Sequence, residues 1–217
     1  MSEVGVPEAS RMLGVSERRV RQIIDAGNLR ARQVSGNWLI DVASVPNAPR
    51  RGGRPMSPRM AWGLIEAVEG RRAPWLSPKD VLRLKHMRDR LQADPEPELL
   101  LKAALVDRAA RYELSCSEPD ELRRDPNVVL SGISDPRSGM SAANQVEAYV
   151  HVDDHQDRIA EHLLVPSSGR RANVILHVSE VRPANPVPLL LLAADLADHD
   201  QPRELGRARD LIAQALR

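Results

Sequence analysis

Between residues 6 and 27 apolar residues recur at Ala9, Met12, Leu13, Val15, Val20, Ile23 and Ile24, with mostly polar and charged residues between them. That spacing predicts two short amphipathic helices. Pro7 suits the start of the first, whose apolar face is Ala9, Met12 and Leu13. Gly14 stands where a tight turn needs a left-handed residue. Ser16 is an N-cap for the second helix, and Gly27 ends it. Two extended runs follow, Leu29–Val34 and Trp38–Asp41, around Ser35, Gly36 and Asn37. They predict a β-hairpin with turn residues at its tip.

Helical spacing returns further on. Ser57 caps and Pro58 opens a helix with Ala61, Trp62, Leu64, Ile65 and Val68 on one side, closed by Gly70. Ser77 and Pro78 repeat the device before Val81, Leu84, Met87 and Leu91. A third helix is expected over Pro97–Arg111, carrying Leu99, Leu100, Leu101, Ala104 and Leu105. After residue 110 strand-like runs appear at Arg111–Cys116, Asn127–Ile133, Glu147–Val152 and Asn173–Ser179. Helical runs alternate with them near Asp153–Leu163, Pro188–Ala197 and Pro202–Leu216. The fold class expected is α+β, with a winged helix-turn-helix at the amino end, a helical segment, and a carboxy-terminal mixed α/β domain. The boundaries read as 1–45 for the first domain, 46–58 for a basic Pro/Gly linker, 59–96 for the helical segment and 97–217 for the last domain.

Composition narrows the function classes. A chain of 217 residues with 42% hydrophobic content has enough apolar matter for a buried core. The densest apolar run, Val187–Ala197, is broken by Pro188 and Asp195, so no membrane span is expected. Glu3, Glu8 and Arg11 interrupt the start and argue against a signal peptide. The single cysteine, Cys116, excludes an internal disulfide and a cysteine-based zinc site, and the cytosol is the simplest compartment. Aromatics are 2% with no Phe, which disfavours the stacking platforms used on single-stranded nucleic acid. Charge is divided along the chain. Residues 1–72 hold twelve arginines against seven acidic residues, and the remainder holds nineteen basic against twenty-three acidic residues. A basic first third points to a polyanionic partner at that end.

Helix, short turn, helix, hairpin is the layout of a winged helix-turn-helix. An α-helix fits the major groove of B-DNA, where arginine pairs bidentately with guanine and glutamine with adenine. The exposed face expected on the second helix carries Glu17, Arg18, Arg21 and Gln22, with Arg19 alongside, and Ser16 sits at its phosphate-facing start. Arg30, Arg32 and Asn37 are placed on the hairpin, within reach of the flanking backbone or minor groove. Trp38 is expected to pack against the helices. The run from Glu8 to Asp41 resembles the excisionase-like, MerR-type winged helix-turn-helix family, over roughly the first quarter of the chain. The resemblance implies double-stranded DNA binding, with Ser16, Arg18, Arg19, Arg21 and Gln22 at the groove and Arg30, Arg32 and Asn37 on the wing. Arg51-Gly52-Gly53-Arg54-Pro55 is similar to the core of an AT-hook, with one glycine extra; the plainer reading is a basic linker in which Arg50, Arg51 and Arg54 attract phosphate. More loosely, segments of the remainder resemble actinobacterial AbiE-type antitoxins. That likeness implies an autorepressor of a toxin–antitoxin operon, with a toxin protein as partner.

Candidate sites outside the first quarter read as structural. His151 and His155 of His-Val-Asp-Asp-His have metal-ligand spacing only on a helix, and His151 falls in an expected strand while Asp153 or Asp154 caps the helix after it. Asp195, Asp198, His199 and Asp200 mark the end of a core helix rather than a metal site. Cys116 reads as a buried, inert thiol. No phosphate-binding or dinucleotide glycine fingerprint and no nucleophile elbow occurs. The expectation is therefore a non-enzymatic regulator with no cofactor and no metal, binding its own promoter as a homodimer on paired half-sites. The alternatives are an excisionase-like architectural factor of a mobile element and a ligand-sensing transcription factor.

Overall fold

The computed structural model describes residues 3–13, 15–34, 36–47 and 54–217. The chain is mixed α+β and divides into two compact units, residues 1–53 and residues 54–217. Residues 48–53, which include Arg50 and Arg51 and most of the AT-hook-like run, lie outside the described residues. Among the described residues no helix is long and apolar enough to cross a membrane.

The first unit begins with a strand that the apolar pattern did not signal, β1 (Glu3–Gly5). Helices α1 (Val6–Leu13) and α2 (Glu17–Asp25) follow. Ser16 caps α2 by accepting from the Arg19 backbone N–H at 3.3 Å. At the other end Gly27, with φ +74°, donates to Ile24 O, and the Asn28 N–H reaches Ile23 O. These two bonds form a Schellman closure that only a residue tolerant of positive φ enters cheaply. The hairpin is β2 (Ala31–Val34) with β3 (Asn37–Asp41), in antiparallel register from Ala31↔Ile40 to Val34↔Asn37. β1 pairs with the other side of β3, giving a three-stranded sheet in the order β1-β3-β2. The core joins Ala9 and Leu13 of α1, Val20, Ile23 and Ile24 of α2, and Leu29, Ile40 and Val45; Trp38 packs against it half-buried.

The second unit opens with α3 (Pro58–Val68), α4 (Pro78–Ala93) and α5 (Pro97–Leu105). α5 is shorter than the expected Pro97–Arg111, because Arg108 turns inward and β4 (Ala110–Ser115) begins there. Then come α6 (Pro119–Arg124), β5 (Val129–Leu130), β6 (Val146–His151), α7 (His155–Glu161), β7 (Val165–Pro166), β8 (Val174–Ser179), α8 (Leu189–Asp198) and α9 (Pro202–Ala215). The strand expected over Asn127–Ile133 shrinks to two residues, since Gly132 at φ +50° starts a 3-10 turn. The five-stranded sheet has the order β5-β6-β8-β4-β7. β6 and β8 are parallel, and the other pairs are antiparallel.

Two apolar cores flank this sheet, and the period-2 rule assigns residues between them. Val146, Ala148 and Val150 of β6 and Val174, Leu176 and Val178 of β8 share a core with Leu122 of α6 and, at its edge, Ile159 of α7. The larger core gathers α3, α4, α5, α8 and α9. The helical stretch expected at 59–96 thus shares its core with helices near the carboxy end. On that side β6 presents Glu147 and Tyr149, and β8 presents His177 and Ser179, all buried. The sheet therefore buries a polar face against α8.

Candidate functional site

Two constellations stand out. The first is the outer side of α2. Val20, Ile23 and Ile24 face the core, so the 3.6-residue repeat turns Glu17, Arg18, Arg19, Arg21 and Gln22 outward, and all five are exposed, as is Ser16. Arg21 pairs with Glu17 at 3.3 Å, and Arg19 donates to Gln22 Oε1 at 3.2 Å. Arg18 makes no side-chain bond among the described residues. On the hairpin, Arg32 forms a two-pronged bond to Glu3 at 2.9 and 2.8 Å, which holds the Glu3 carboxyl below its ordinary pKa. Arg30 pairs with Asp41 at 3.3 Å. Asn37 is exposed at the start of β3, and Arg54 is exposed at the start of the second unit. Both hairpin arginines are well exposed, at 71% and 64% of their side chains, so their ion pairs are weak and open to competition from phosphate. Glu3 is the residue that sequence reasoning did not connect to the hairpin, because β1 was not expected.

The second constellation lies inside the other unit. Arg108, 3% exposed, donates from Nε to Tyr149 Oη and Asp195 Oδ1, each at 3.0 Å. Its Nη2 meets Asp195 at 2.5 Å and Asp198 at 2.6 Å, and its Nη1 donates to Leu105 O at 3.1 Å. Tyr149 also donates to Asp195 at 2.8 Å, and Ser131 donates to the other Asp195 oxygen. Beside this, Glu147 is fully buried between two histidines. His177 Nε2 lies 2.9 Å from Oε1 and His199 Nε2 lies 2.7 Å from Oε2. The Tyr149 and His177 rings stack with centroids 4.7 Å apart, which joins the two halves.

Burial alone would raise the Glu147 pKa, but hydrogen bonds from His177 and His199 outweigh it and hold the carboxyl well below its ordinary range. Burial alone would lower His199, and the bond to Glu147 reverses the sign and raises it. Burial pushes the Tyr149 phenol well up, keeping it a neutral donor. Gly132 closes the cluster from below. A Cβ there would lie 1.8 Å from Glu147 Oε2, while the neighbouring Ile133 N–H donates to that oxygen at 3.0 Å. Every charge in the cluster has a partner, as a buried ionic group requires. It clamps β6, β8, α8 and the end of α5 together. It holds no nucleophile next to a free base.

The aspartates near 198 are thus partners of basic side chains. Asp195 and Asp198 hold Arg108, Asp200 pairs with Lys102 at 3.1 Å, and His199 belongs to Glu147. His151 and His155 take separate tasks: His151 bonds to Glu180 O and accepts from Asp153 N–H, while the His155 ring tilts over Tyr112 at 5.0 Å. Cys116 is buried and free. The one grouping with metal-ligand geometry among the described residues is Asp125, Glu161 and His162. Arg158 already pairs with two of its carboxylates, at 3.0 Å from Asp125 and 2.7 Å from Glu161, and His162 bonds to Asp125 at 2.9 Å. Comparison with family models, curated proteins and solved structures returns no match.

Proposed function

We propose that this protein is a sequence-specific regulator that binds double-stranded DNA through a winged helix-turn-helix in residues 3–47. The supporting observation is the capped helix α2, whose apolar side is buried while Arg18, Arg19, Arg21 and Gln22 face solvent together. A short helix projecting these side chains suits a major groove. The hairpin after it carries Arg30, Arg32 and Asn37 as a wing, and Arg54 with the linker arginines adds phosphate attraction. One such helix makes few base contacts, so the operator is two half-sites read by a homodimer. Its target is the protein's own promoter. The antitoxin role, with a toxin protein as partner, rests on the looser likeness of the remaining chain to AbiE-type antitoxins.

The test is fluorescence anisotropy with a labelled duplex from upstream of the coding region, over a range of salt. Affinity should fall about a thousand-fold or more between 50 and 200 mM salt if a dimer neutralises six or more phosphates. Replacing Arg18 and Arg21 by Ala should cost about 2–4 kcal/mol in specific binding and leave the melting curve unchanged, because both are exposed. Unchanged promoter affinity in a folded double mutant would reject the assignment of α2.

A further inference from the structure

We infer that the second unit binds a small organic cation with an aromatic or apolar body, in a cleft between the start of α3, the segment after α5 and the end of β8. The cleft encloses about 390 Å³, within the range of small-molecule sites. The inference concerns residues 54–217 alone and does not rest on the DNA-binding reading.

Two of the chain's three tryptophans line this one cleft, in a protein with no phenylalanine. Their polar tips are already satisfied. Trp62 donates its indole N–H to Arg108 O at 3.0 Å, and Trp75 donates to Arg59 O at 3.2 Å. Trp62 is 2% exposed, so the ring surface offered to a ligand is that of Trp75. Trp75 is 40% exposed, unusually open for so large an apolar side chain. Val178 and Val181 complete an apolar wall.

The charges around the cleft decide the sign of the ligand. Arg108 lies there, but its guanidinium is spent on Asp195, Asp198 and Tyr149 inside the molecule. Arg59 points its Nη2 at Asp80, 3.0 Å away, and at Trp75 O. Asp107 and Glu180, by contrast, are exposed carboxylates that make no ion pair or side-chain hydrogen bond among the described residues. Arg108 is neutralised in the interior, Arg59 is half-exposed but paired with Asp80, and the two unpaired charges, Asp107 and Glu180, are negative. The open indole face of Trp75 beside uncompensated carboxylates attracts a cation by both ring quadrupole and charge. An anion would meet two unpaired carboxylates against one guanidinium, Arg59, that is already paired with Asp80.

Isothermal titration of the full-length protein tests this with three probes of similar size: benzyltrimethylammonium, benzyl alcohol and benzoate. Saturable binding of the ammonium is expected, with Kd of about 0.1–1 mM, and benzoate should bind at least about ten-fold more weakly. Exchanging both carboxylates, Asp107→Asn with Glu180→Gln, should weaken the ammonium about ten-fold and leave benzyl alcohol unchanged. Both sites are exposed, so this variant keeps its fold; Trp75→Ala should weaken the ammonium by a similar factor. No saturable heat from the ammonium up to about 10 mM would overturn the inference. So would benzoate binding as tightly, or a double carboxylate variant that binds the ammonium as the parent does.

Discussion

Glu147 sets the charge balance of the interior. It is ionised in a place where burial opposes ionisation, and it stays so because His177 and His199 both contact it. Its contribution to stability is complete above its ordinary value of 4.5 and is lost as pH falls through its lowered folded-state value. His199 behaves oppositely. Its contribution is complete below its ordinary 6.5 and is lost as pH rises through its raised value. The melting temperature should therefore peak between pH 4.5 and 6.5 and fall on the alkaline side. Thermal unfolding followed by circular dichroism from pH 4 to pH 9 checks this. Glu147→Gln should cost about 3–5 kcal/mol and flatten the alkaline decline, because His199 then loses the carboxylate that raises it. A melting temperature that climbs from pH 6 to pH 8 in the parent protein would contradict the assignment.

At the scale of elements, much of the local grammar is visible in the residues. Ser16, Ser57 and Ser77 each stand before a helix in the extended conformation of an N-cap, but the Ser57 hydroxyl makes no capping bond, contrary to expectation. Ser77 is the fullest case. Its hydroxyl accepts from the Asp80 N–H, and Asp80 returns a bond to the Ser77 N–H, a reciprocal capping box. The Ser77 hydroxyl and backbone N–H, together with Arg59, hold the Asp80 carboxyl down to about 2. Ser77→Ala should cost about 1 kcal/mol, seen as a drop of about 3 °C in melting temperature, with the fold retained. Other elements gave little signal. β1 is three residues long, and β5 and β7 are two each, too short for any period to register. Pro119–Arg124 is six residues with a single buried apolar side chain, Leu122. Asp195 was a visible clue, as a lone acid inside the apolar run Val187–Ala197, yet its partner Arg108 lies 87 residues away.

For the molecule as a whole, each unit carries its own core. Among the described residues, the cluster built on α1, α2 and the hairpin takes none beyond 45, and the two clusters of the second unit take none before 56. A fragment from Arg54 to Arg217 should thus fold by itself, with a cooperative melt and the same pH optimum as the full chain. It should lose promoter binding. Circular dichroism and anisotropy on the fragment check both; a non-cooperative melt would show that the second unit depends on the first. The charge division follows the same line: residues 1–53 hold eight arginines against five acidic residues, and the remainder holds twenty-three basic against twenty-five acidic residues.

The residues by themselves determined the helices, their caps, the hairpin and the outward side of α2, because these depend on spacing within one or two turns of chain. The runs Val-Glu-Ala-Tyr-Val-His and, from Leu176 on, Val-Ile-Leu-His-Val-Ser put polar residues on one side, the pattern of strands with one wet face, though Ile175 interrupts it. Tertiary structure alone decided that this polar face is dry. α8 covers it, and Arg108 and Asp195, brought from distant parts of the chain, complete the bonds that Glu147, Tyr149 and His177 need once water is gone. The same long-range packing placed Trp62, Trp75, Asp107 and Glu180 around one cleft. No local period encodes such a meeting, because it depends on which surfaces exclude water together.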